Sequence, residues 1–100
     1  MRELVYLTAA RDDLSDILRH IAEESGSLAV AQAFVGKLMD HCERLAALPG
    51  PLGTARPELR PDIRSIPHQS YVIFFRYVGA CLEIVNVLSA NRDVARYFEH

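Results

Sequence analysis

The residues best equipped for chemistry in this chain are its arginines. All six basic residues after Leu48 are arginine (Arg56, Arg60, Arg64, Arg76, Arg92 and Arg96), and the only lysine, Lys37, lies earlier. A guanidinium presents a planar fork to carboxylate or phosphate and stays charged, so it stabilises negative charge well but cannot readily act as a base near neutral pH. In-line cleavage of RNA needs proton removal from the attacking hydroxyl, charge stabilisation at phosphorus and protonation of the leaving oxygen. The arginines supply the second of these and not the first.

Other constellations carry less. His20, His41, His68 and His100 form no His-Glu-x-x-His motif and have no second His or Cys at helical spacing, so no metal site is expected. Cys42 and Cys81 are far apart in no metal-binding spacing and read as two buried thiols in a reducing compartment. Asp62, Ser65 and His68 contain the residue types of a hydrolase triad, but three such residues close in sequence are usually chance. There is no nucleophile elbow and no phosphate-binding glycine loop. No cofactor is expected.

The elements that must position these groups follow from periodicity. Glu3 to Leu7 is short and β-prone. Thr8 is a plausible N-cap, with Asp12 and Asp13 near the positive end of the helix dipole. Leu14, Ile17, Leu18, Ile21 and Ala22 then form one helical stripe, with Asp13, Asp16, Arg19, His20 and Glu23 facing solvent. Gly26 stops this helix and Ser27 caps a second, whose stripe is Leu28, Ala31, Phe34, Val35, Leu38, Cys42 and Leu45. The turn between them is so short that the two helices must be antiparallel. Pro49-Gly50-Pro51 ends the hairpin, and the stretch to Pro61 reads as an ordered crossing loop.

Ile63 to Pro67 is a candidate edge strand, because Pro67 cannot donate to a ladder. Tyr71 to Val78 is the strongest strand, turning at Gly79-Ala80 into an antiparallel return over Leu82 to Leu88. At period two, Tyr71, Ile73, Phe75 and Tyr77 share one face and Val72, Phe74, Arg76 and Val78 the other. Only one face can meet the helices, so the other is expected to need a partner. Asn91 to His100 is a short tail of one or two helical turns. The expected fold is α+β: an N-terminal strand, then an antiparallel helical hairpin packed on one face of an antiparallel β-sheet.

Bulk properties agree with a single domain over 1–100. Half the 100 residues are hydrophobic and the net charge is −2, which suits a packed globule. Strong nonspecific nucleic-acid binding usually shows as a basic stripe and high pI, so no direct sequence-specific DNA binding is expected. No apolar run is long enough to cross a bilayer and no signal-peptide pattern opens the chain, so no membrane partner and a cytoplasmic location are expected.

Five segments, in order, resemble toxins of the RelE/ParE superfamily of type II toxin–antitoxin systems. They are Leu7-Thr8-Ala9-Ala10-Arg11-Asp12-Asp13-Leu14-Ser15-Asp16-Ile17; Arg44-Leu45-Ala46-Ala47-Leu48-Pro49; Arg56 through Pro67; Tyr71 through Tyr77; and Val85 through Asp93. The loop and second strand are similar to the ParE branch in particular. The resemblance implies a toxin that inhibits DNA gyrase and replication, and a cognate ParD-like antitoxin that neutralises it in a hetero-oligomer. The RelE branch instead implies a ribosome-dependent mRNA endoribonuclease, for which Arg64 and Arg92 match the catalytic arginines and Tyr97 lies about one residue from the tyrosine, while the loop lysines are missing. A third alternative is an inactive toxin-fold protein that only binds its antitoxin.

On the ParE reading no catalytic residues are expected. Target contact is expected at Arg92, Arg96, Tyr97 and Phe98, since exposed arginines and aromatics dominate hot spots. Deleting Arg92–His100 would then abolish toxicity and preserve folding. Antitoxin contact is expected at Leu14, Leu18, Phe34, Arg64, Phe74 and Arg76.

Overall fold

A computed structural model describes residues 2–98; Met1 and the last two residues of the expected tail, Glu99 and His100, lie outside the described residues. The elements are β1 (Glu3–Tyr6), α1 (Thr8–Ser25), α2 (Leu28–Ala47), β2 (Thr54–Ala55), β3 (Arg64–His68), β4 (Tyr71–Val78), β5 (Cys81–Ser89) and a 3-10 helix (Val94–Phe98). The five strands form one sheet in the order β1-β5-β4-β3-β2.

The helical hairpin forms where the sequence places it. Gly26 takes the left-handed conformation (φ 69°) and its N–H donates to the Ala22 carbonyl, which ends α1. Ser27 accepts from the Val30 N–H at 3.2 Å and starts α2. Thr8, by contrast, is already helical. Leu7 holds the cap position in extended conformation, its N–H tied to Ile84 O at 3.0 Å, and its aliphatic side chain offers no capping acceptor.

The α+β architecture is the one expected, with one strand running otherwise than the sequence suggests. β3, β4 and β5 are antiparallel neighbours, but β1 lies parallel to β5, pairing Glu3 with Cys81 and Tyr6 with Ile84, so the sheet is mixed. Strand direction is set by where α1 must pack after leaving β1, a nonlocal constraint that residue pattern does not carry.

Both faces of β4 are covered, and by this chain. Ile73 and Phe75 join Ala10, Leu14, Ile17, Leu38, Cys42 and Leu45 in the core beneath the helices, with Tyr71 and Tyr77 at its margin. On the opposite face Phe74 packs with Ile63, Val85, Leu88 and Phe98. The expectation that this second face awaits a partner is therefore corrected: the crossing loop and the 3-10 helix close it.

A bulge makes this two-sided burial work on β5. The register shifts between Phe74, opposite Asn86, and Phe75, opposite Ile84, which leaves Val85 as the extra residue. Before it, Leu82 and Ile84 face the helices; after it, Val87 does, while Val85 and Leu88 turn to the second face.

Candidate functional site

Asp13 sits at the junction of α1 and β5. Sequence pattern places it in solvent, but it is half-buried: Oδ2 accepts from the Asn86 amide and from the Val87 N–H, both at 2.9 Å. The bulge perturbs the ladder at this point, and the carboxylate meets the N–H of the second residue after Val85. Burial raises the Asp13 pKa above its ordinary value of 3.8, although the two hydrogen bonds oppose the shift. A signal was present in the sequence. Asp13 lies three residues after Ala10 and four before Ile17, on the inner stripe, and Asn86 is a lone polar residue within an apolar strand.

Beside this junction opens a cleft of about 310 Å3 bordered by Asp13, Asp16, His20, Tyr71, Ser89 and Arg92. Arg92 leads into the tail. Its guanidinium donates to the Tyr97 hydroxyl and lies 5.9 Å from the Tyr97 ring centroid. Arg96 is exposed and reaches Asp93 at 3.9 Å. Arg92, Arg96 and Tyr97 thus present a cationic and aromatic surface at one end of β5. Phe98 does not belong to that surface: it is 6% exposed and its ring centroid lies 5.5 Å from that of Phe74. Its expected role in target contact is corrected to a packing role, as is the expectation that the tail can be removed without cost to folding.

Arg64 is engaged elsewhere. Nε donates to the Leu52 carbonyl at 2.7 Å and Nη2 to the Gly53 carbonyl at 3.0 Å, pinning the crossing loop to β3. The close approach requires Gly53, which has φ 71° and whose missing Cβ would meet the Ser65 carbonyl at 2.6 Å. Lysine cannot reproduce this fork, so Arg64→Lys is expected to lower stability by about 1–2 kcal/mol, read as a shift in urea midpoint at constant slope. Arg56 braces the same loop, bonding Glu58 at 2.6 Å and Ser65 Oγ at 3.2 Å. The structure brings Arg92 and Tyr97 together and gives Arg64 a separate partner set.

The expected antitoxin contacts divide in the same way. Leu14 is 8% exposed and Phe74 fully buried, so both are core residues rather than surface ones. Leu18 and Phe34 are half-buried. Arg76 is paired with Glu83 at 2.7 Å and with Asp62 at 3.6 Å. Larger apolar exposure lies on α2 at Leu28, Val30 and Met39. Cys42 is fully buried, and burial pushes its thiol up to about 11. Cys81 is only half-buried, with its sulfur 3.7 Å from the Glu3 carboxylate, so the expectation of two buried thiols holds for Cys42 alone.

A helical hairpin on a five-stranded mixed sheet, with an arginine–tyrosine surface at the exit of the last strand, makes a small α+β fold. The solved structure "Chromosomal ParDE TA system from P. aeruginosa" shares that fold, with a TM-score of 0.73 at 22% identity over 89% of this chain and 96% of that one. Residues 4–94 match the family described as the ParE toxin of the type II toxin-antitoxin system parDE, and the chain belongs to that family. Toxin ParE3 of Caulobacter vibrioides (strain ATCC 19089 / CIP 103742 / CB 15) is 29% identical over 83 residues, which cover 83% of this chain and 81% of that protein. Arg64 and Arg92 fall inside the family match; Arg96, Tyr97 and Phe98 fall beyond it.

Proposed function

We propose that this ParE-family toxin arrests growth by inhibiting DNA gyrase, that a cognate ParD-like antitoxin neutralises it in a hetero-oligomer, and that it acts in the cytoplasm without reading DNA sequence itself. The family match over 4–94 carries the reading. The local chemistry supports binding over RNA cleavage. Arg64 is committed to two loop carbonyls, and the only lysine, Lys37, is on α2. No helix among the described residues is long and apolar enough to cross a membrane.

The exposed groups Arg92, Arg96 and Tyr97 are the best placed for target contact, Tyr97 being 37% exposed. Purified toxin is expected to block gyrase supercoiling and to leave mRNA intact in a translating extract. Tyr97→Ala is expected to weaken gyrase inhibition about thirtyfold with an unchanged melting temperature, the loss typical of an aromatic hot spot. Unaltered inhibition by that variant places the contact elsewhere. Ribosome-dependent mRNA fragments with gyrase unaffected would replace the reading with the endoribonuclease one, resting on Arg64, Arg92 and Tyr97.

A further inference from the structure

His41 on α2 and His68 at the end of β3 face each other Nδ1 to Nδ1 at 2.9 Å, with ring centroids 5.2 Å apart. His68 also stands edge-on to Phe34 at 6.0 Å, and Phe34 meets Tyr71 of β4 at 5.6 Å. The next residue, Gln69, turns the chain with φ 53°. These contacts fasten the β3–β4 turn to the helical hairpin.

At that separation one proton lies between the two Nδ1 atoms, so one ring donates and the other accepts. Nε2 of His68 is buried without a partner among the described residues. A buried unmet N–H is costlier than a buried unmet lone pair, which assigns the shared proton to His68 and leaves His41 as acceptor. A further proton then has two places to go. On His68 Nε2 it creates a cation in a buried position, and on His41 Nδ1 it sets two N–H groups against each other and breaks the bond.

The groups around the pair add to this. On α2 the Arg44 cation opposes a second positive charge at both rings. On β4 the neighbour is Tyr71, which also borders the cleft together with His20 of α1. Burial first, then for His41 the facing His68, and for both rings Arg44, hold the imidazoles below the ordinary value of 6.5.

We propose that the His41–His68 pair is an acid-released latch that holds the β3–β4 turn against α2, closed while both imidazoles are neutral and opened by proton uptake. The sign follows from linkage. The unfolded chain takes up protons before the folded one, so the latch contributes fully above a pH of about 6.5 and its contribution declines below it. Opening would release Phe34 and Tyr71, and with Tyr71 one wall of the cleft that Asp13 and Arg92 share.

The test compares urea unfolding of the full chain with that of His41→Gln at about pH 7.5 and about pH 5.5, on either side of histidine titration. The folding equilibrium constant of the wild type is expected to fall roughly fivefold further than that of the variant across this interval, the value of one hydrogen bond. Parallel pH dependences would overturn the latch. Should the variant not fold, imidazole NMR on the wild type decides. Joint titration of His41 and His68 with movement of the Gln69 and Tyr71 amides supports the latch, and two independent titrations with still amides overturn it.

Discussion

Replacing Phe98 with alanine is expected to cost about 3–5 kcal/mol, the range for truncating a buried aromatic residue. Phe98 lies in the 3-10 helix after Arg92, at the position most easily mistaken for a free tail. Its ring is packed on Phe74 among Ile63, Val85 and Leu88, and the Arg60 guanidinium lies 5.1 Å from its centroid. Removing the ring opens a cavity and uncovers a fully buried Phe74 in the middle of the sheet. For a domain of this size the melting temperature should fall by roughly 15 °C or more. Tyr97→Ala, one residue away and more exposed, should leave melting almost unchanged. A Phe98→Ala variant that melts like the wild type would mean that the second face is not closed by the tail. The same reasoning applies to truncations: a chain cut before Val94 is expected to lose stability with the cover that Phe98 gives Phe74, whatever the target touches.

Asp13→Ala is expected to cost about 2–3 kcal/mol, because it strands the Asn86 amide and the Val87 N–H at the bulge after removing a charged acceptor. Asp13→Asn should cost less, as both bonds end on one oxygen and an amide oxygen in its place can still accept the two, though without the charge. The pH dependence distinguishes this residue from a surface carboxylate. Burial raises its pKa above 3.8, so between 3.8 and the raised value the folded chain keeps a proton that the unfolded chain has lost. Stability therefore falls as pH rises through that window, a component that Asp13→Asn should abolish. Urea midpoints of both proteins across acid pH check this; superimposable profiles would show that the carboxylate is not strained by burial.

The hairpin helices and the β4–β5 ribbon were legible because their signals are local. Gly26 and Ser27 sit at the junction the stripes require, and Tyr71 to Val78 alternates as a two-sided strand up to the Gly79 turn. The two-residue β2 was not legible, since its pairing with β3 rests on the Arg64 clamp rather than on strand-forming residues. The cover over Phe74 was missed for a related reason. A face can be shown apolar from sequence, but whether Phe98 folds back onto it depends on contacts between residues far apart. Of the candidate site, the arginines and Tyr97 could be picked out by type. Asp13 could be placed on the inner stripe, but its pairing, like that of His41 with His68, could not be read, because each partner lies 27 or more positions away.

The parallel docking of β1 on β5 has a consequence in time as well as in space. During synthesis β1 and both helices are made before Cys81–Ser89, so until then the first strand has no ladder to join and the inner stripe has no complete sheet to lie on. Pairing Glu3 with Cys81 closes a very large loop, an entropic cost that can be met only when nearly all the other pieces are present. Chains interrupted before β5 are therefore expected to lack the strand that joins β1 to the rest of the sheet beneath the helices.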